Sequence, residues 1–179
     1  MTMPVLPPLL DRWTRPDTWP LIGALVSASL LLGAFGFEVI GRYAPCPLCI
    51  EQRWAHAYLL FAGLVLFIGL NVLRPMNALA ARAATLVIAA LAGFSAWRAG
   101  YHAGGEYGFW RLDCLAADTS SVSVEDLLSS LSTATNVVLC DEPAWTLLGV
   151  SMAGYNALIS GLLMLVSILI VFREPYRSE

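Results

Sequence analysis

Lysine is absent from this chain of 179 residues, and charge of either sign is scarce: 13% of residues are charged against 58% hydrophobic, with a mean hydropathy of +0.70. Soluble domains carry about 25% charged residues, so the composition excludes an ordinary soluble fold and points to a membrane protein. The ten basic residues, all arginine, face thirteen acids, for a net charge of -3, and no basic stripe suits nucleic acid. Cysteine is limited to four, few for a disulfide scaffold. No second close pair accompanies Cys46 and Cys49, which argues against a four-cysteine zinc site and predicts no metal.

What the chain does have is long apolar runs. A helix needs roughly 20 residues to cross a hydrocarbon core of about 30 Å, and four stretches reach that length, at about 20–40, 49–70, 80–100 and 145–172. The first is longer than a signal-peptide core and lacks a convincing A-x-A site, so it reads as an uncleaved anchor. The expectation is a single all-α membrane domain over 1–179, a four-helix bundle with loops at about 41–48 and 102–144. Arg12, Arg15, Arg74, Arg82, Arg173 and Arg177 fall on one side, which the positive-inside rule makes cytoplasmic. Both termini are then cytoplasmic, and both cysteine-bearing loops lie outside.

In the longer loop, "SVSVEDLLSSLS" offers Ser123 as a helix cap, with Val124, Leu127, Leu128 and Leu131 on one face. It predicts a short amphipathic helix on the membrane surface. Aromatic residues near the two interfaces (Tyr43, Trp54, Trp97, Tyr101, Trp110 and Trp145 on one side, Trp13, Trp19 and Tyr176 on the other) read as anchors. Small residues four apart, Gly23 with Ser27 and Ala153 with Ala157 and Gly161, suit close packing of helices.

The chemistry concentrates in "YAPCPLCIEQRW", residues 43–54. A C-x-x-C bridge closes too short a loop to stabilise much, whereas thiols at that spacing are a common redox arrangement. Pro45 and Pro47 mark a helix start, making Cys46 the N-cap and Cys49 the third helical residue. The positive end of the helix favours a thiolate at Cys49. Arg53 follows one turn deeper. An arginine within a span costs about 2.5 to 3.5 kcal/mol on insertion scales, so it either snorkels to the interface or has a task. Such a task would be to support the Cys49 thiolate and donate to the carbonyl of a lipid-soluble electron acceptor.

Cys114 and Cys140 lie 25 residues apart in the acidic loop. As a bridge they would contribute about 3 to 4 kcal/mol in a chain-entropy estimate. Two dithiols on one side of a membrane can also form a relay by thiol–disulfide exchange, and four cysteines leave three pairings open. His102 and Glu106, four apart, could share a helix face. His56 reads as a packing histidine, and Asn156 as a residue that hydrogen-bonds another helix.

With four spans, "CPLCIEQR" opening the second and "CDEPAWTLLGVSM" leading into the fourth, the chain resembles the disulfide bond formation protein B (DsbB) family over nearly its whole length. A specialised DsbI-like paralogue is one form of that likeness. The resemblance implies a quinone-coupled thiol oxidase of the bacterial inner membrane that reoxidises a periplasmic DsbA-like thioredoxin-fold oxidase. It implies that Cys114 takes the mixed disulfide with that partner, that Cys140 exchanges with Cys46, and that Cys49 faces ubiquinone or menaquinone. Arg53 and Met152 would border the quinone, and His102 or Glu106 would supply the polar residue near it. Two rival readings are a membrane scaffold with static disulfides and a vitamin K epoxide reductase-like enzyme. In the latter family the quinone-side C-x-x-C lies near the end of the last core helix, not at the start of span two.

Overall fold

A computed structural model describes residues 14–73, 77–112 and 140–173 of the chain. Four helices are long and apolar enough to cross a membrane: α1 (Trp19–Val39), α2 (Pro47–Ile68), α3 (Ala78–Glu106) and α4 (Met152–Phe172). A π-helical turn, Gly69–Leu73, extends α2. The bundle is built from two tight helix pairs, α1 with α2 and α3 with α4, joined mainly through α2 and α3. Trp19, Leu59, Ile88, Ala92, Leu163 and Ile170 form the apolar core. The expected helix around residues 123–131 lies outside the described residues, as do Arg12, Trp13, Arg74, Cys114, Tyr176 and Arg177.

Lipid is as apolar as leucine, so helices in a bilayer associate through close packing and hydrogen bonds rather than by hiding greasy surface from water. Gly63 shows the first. A β-carbon there would stand 2.5 Å from the Pro20 carbonyl oxygen and 2.9 Å from Ala24 Cβ, so the α1 and α2 backbones meet only because glycine has none. Gly63→Val is therefore expected to destabilise the bundle by about 1–3 kcal/mol, seen as a lower thermal midpoint in detergent. Gly161→Ala, whose added methyl meets open space, should leave the midpoint unchanged. Gly161 thus departs from the small-residue packing expected of it, whereas Gly23, Ser27 and Ala153 are buried.

Trp19 is also a correction to the sequence reading. It is 7% exposed, and its indole N–H donates to Ser167 Oγ at 2.7 Å; a buried donor needs an acceptor, and α4 supplies it. Trp19 is a bundle residue, not an interface anchor.

The last helix begins later than the hydropathy suggested. Residues 146–151 make a small hairpin, β1 (Thr146–Leu147) with β2 (Val150–Ser151), in the register Thr146 opposite Ser151 and Leu147 opposite Val150. Leu148 and Gly149 turn it with φ of 52° and 79°, the double left-handed conformation of a tight hairpin turn. Ser151 then caps α4, its Oγ accepting the Gly154 N–H at 3.0 Å. The third helix, in turn, runs on to Glu106 before Gly108, at φ 75°, ends it. His102 and Glu106 therefore stand one turn apart on a helix and not in a loop.

Candidate active site

The start of α2 is held by sulfur. Cys46 is extended (φ -75°, ψ 166°), Pro47 takes the first helical position, and Cys46 Sγ accepts the Cys49 N–H at 3.2 Å, the role an oxygen plays in an ordinary N-cap. Both residues are free thiols, Cys46 2% exposed and Cys49 half-buried. The two sulfurs lie 2.7 Å apart. The contact with Cys49, helped by burial, pushes the Cys46 thiol far up from its ordinary value.

The end of α3 closes over this pair. His102 Nε2 lies 3.6 Å from Cys46 Sγ and 3.7 Å from Glu106 Oε1. Glu106 accepts a short hydrogen bond from the Ser151 hydroxyl at the cap of α4, where the partial positive charge of the helix start suits a carboxylate. Tyr107 ties the hairpin to the same place, its hydroxyl accepting the Ser151 N–H at 2.8 Å and donating to the Gly149 carbonyl at 3.1 Å. Cys46, Cys49 and His102 have their donor atoms within 4.8 Å of one another, a spacing that could also hold a metal ion, although a bond between the two sulfurs would remove both as ligands.

Beside the pair opens a cavity of about 350 Å³ lined by residues of all four helices, within the size range of small-molecule sites. Cys46, Cys49 and Arg53 lie along it, with Phe37, Trp145 and Met152 among its apolar walls. Trp145 sits 4.9 Å from Phe37, ring centre to ring centre, as a cavity wall rather than the anchor expected. Arg53 is fastened toward α1: it forms a short ion pair with Glu38, donates to the Ala34 carbonyl at 3.3 Å and lies over the Phe35 ring at 5.0 Å. These bonds occupy two of its five N–H donors.

The structure thus brings six of the sequence-derived candidates to one place: Cys46, Cys49, Arg53, His102, Glu106 and Met152 all line this cavity. Cys140 is 1% exposed and disulfide-bonded, and its main chain hydrogen-bonds the His102 ring. Cys114 lies outside the described residues.

Two residues escaped the sequence reading. Glu38 is the partner of Arg53, and Gln52 links His102 to Asn156, with bonds of 2.8 Å and 2.7 Å. The available signal was cost: a polar side chain in an apolar span needs a partner. Its identity was not readable, because Gln52 and Asn156 are 104 residues apart. His56, read as packing, bonds Asn156 at 2.7 Å, and Asn156 does bond another helix, as expected.

Four spanning-length helices, with a pair of thiols at the mouth of one of them beside an apolar cavity, define a multi-pass membrane protein that carries a dithiol site. The family model for disulfide bond formation protein DsbB matches residues 16–170, most of the chain. The chain belongs to the DsbB family, whose members are membrane disulfide-forming oxidoreductases. No curated protein and no solved structure matches it.

Proposed function

We propose that this chain is a quinone-coupled thiol oxidase of the bacterial inner membrane, which reoxidises a periplasmic DsbA-like dithiol oxidase. The observation that carries this reading is the shared cavity: one apolar chamber bordered by a dithiol at its polar end and by an arginine one helical turn further in. A scaffold with static bridges has no use for a chamber beside free thiols.

The side chains fit a quinone. Its ring and isoprenoid tail suit walls such as Phe37, Trp145 and Met152, and the remaining Arg53 N–H groups can donate to a quinone carbonyl. When bound, the quinone supplies a two-electron, two-proton acceptor. The chain's own part is thiol exchange. The partner's thiolate attacks Cys114 and releases Cys140; Cys140 attacks Cys46, and the electron pair of the Cys46–Cys49 bond passes to Cys49. Helix α2 favours that outcome, since Cys49 sits in its first turn at the positive end of the dipole.

Orientation follows from charge. Arg15, Arg82 and Arg173 belong to the end of the bundle away from the cysteines, where Arg82 donates to the Arg173 carbonyl at 3.2 Å and Arg173 to Thr14 Oγ1 at 2.9 Å. The positive-inside rule makes that end cytoplasmic and the thiol end periplasmic.

Anaerobic mixing of the purified, oxidised protein in detergent with ubiquinone and a reduced thioredoxin-fold oxidase tests the reading. Loss of quinone absorbance, one quinone per partner dithiol, is expected. Absence of bleaching with both ubiquinone and menaquinone would reject it.

A further inference from the structure

From the thiol pair a chain of buried hydrogen bonds runs through all four helices. Cys46 Sγ meets His102 Nε2 at 3.6 Å, and His102 Nδ1 meets Gln52 Nε2 at 2.8 Å. Gln52 Oε1 meets Asn156 Nδ2, and Asn156 Oδ1 meets His56 Nε2, both at 2.7 Å. His56 Nδ1 meets Ser27 Oγ at 3.2 Å. Gln52, His56, His102 and Ser27 are each no more than 7% exposed, and Asn156 is half-buried at the cavity wall.

Such a chain can run in two directions, because each amide can turn over and each imidazole can change tautomer together. An acceptor decides between them. Glu106 Oε1 lies 3.7 Å from His102 Nε2, so the nitrogen that faces both this carboxyl group and the Cys46 sulfur has to donate. Neutral His102 then carries its hydrogen on Nε2, and Nδ1 accepts from the Gln52 amide. The Gln52 carbonyl accepts from Asn156, the Asn156 carbonyl from His56 Nε2–H, and His56 Nδ1 from the Ser27 hydroxyl.

We infer that His102 is a hydrogen-bond donor to the Cys46 sulfur, and that Gln52, Asn156 and His56 are positioning residues that hold it in the donating tautomer. A use for this donor follows from the ring's contacts with both Cys46 Sγ and the Cys140 main chain. In a Cys46–Cys140 mixed disulfide, attack by the Cys114 thiolate on Cys140 forms the Cys114–Cys140 bond. The Cys46–Cys140 bond breaks, and its electron pair stays on Cys46 Sγ. His102 Nε2–H stabilises that new thiolate by hydrogen bonding, its proton remaining on nitrogen. This last step rests on the exchange reading above; the tautomer and the donation to Cys46 do not.

The test needs neither quinone nor partner, so its failure is distinct from failure of the oxidase reading. Cys49, Cys114 and Cys140 are replaced by serine, leaving Cys46 alone, and its alkylation by iodoacetamide is followed against pH in detergent. The titratable groups facing it are His102 and Glu106 from α3, Arg53 from α2 with its partner Glu38 on α1, and Glu142 from the segment before the hairpin. Replacing His102→Leu should raise the alkylation midpoint by about one pH unit, the size of a lost hydrogen bond to a charged group. His102→Gln, which keeps an N–H donor, should restore much of it, a rescue that a packing role would not give. The 15N spectrum of the intact reduced protein is read alongside, with only two histidines to assign; His102 is expected neutral with hydrogen on Nε2. An unchanged midpoint in His102→Leu, or hydrogen on Nδ1 in the intact protein, would overturn the inference.

Discussion

Cys49→Ser is expected to stop quinone reduction, leaving less than about a thousandth of the wild-type rate in the anaerobic absorbance assay. A serine hydroxyl forms no S–S bond and does not ionise near neutral pH, so the variant can neither hold the oxidised pair nor carry its electrons onward. Cys46→Ser should abolish turnover equally, but the two variants differ in a second readout. Cys49 is half-buried against 2% exposure for Cys46, and the Cys46 thiol is pushed up from its ordinary value by Cys49 and by burial. In the reduced wild-type protein, alkylation followed by mass spectrometry should therefore label Cys49 first. Faster labelling of Cys46 would contradict the assignment of Cys49 as the outlet of the pair.

The second large effect is expected at Arg53. A hydrogen bond from a charged donor is worth about 1.5–3 kcal/mol, so Arg53→Met should raise the KM for quinone about tenfold to a hundredfold, with a smaller fall in kcat. Glu38→Gln keeps a hydrogen-bonding partner for the guanidinium but removes its counter-charge. It should give a milder effect in the same parameter, because Glu38 acts by holding Arg53 against α1. If Arg53→Met left the KM unchanged, Arg53 would be a residue that snorkels to the interface and nothing more. The same measurement on Arg53→Lys separates charge from geometry, since lysine restores the charge without the planar fork.

Much of this molecule follows from local sequence because a bilayer narrows the choices. Every backbone polar group within hydrocarbon has to be bonded internally, so an apolar run of sufficient length becomes a helix whatever its neighbours do. The start of α2 is equally local: two prolines and a cysteine cap lie within three residues, and Pro45-Cys46-Pro47 permits helix only from Pro47 onward. The start of α4 was misjudged for the converse reason. Thr146 to Ser151 is apolar enough to pass for helix, yet Leu148 and Gly149 turn over, and the bonds that hold the turn come from Tyr107, some forty residues away.

The sequence by itself determined the four spans, the C-x-x-C at a helix mouth and the arginine one turn beyond it, since each depends on hydropathy, capping or the 3.6-residue period within one segment. Tertiary structure alone decided which polar groups meet. That Arg53 is bound to Glu38, that His102 touches Cys46, and that Gln52 and Asn156 connect His102 to His56 are outcomes of helices packing side by side. The cost of an unpaired polar group in hydrocarbon ensures that each finds a partner, and only the packing of the bundle selects which one.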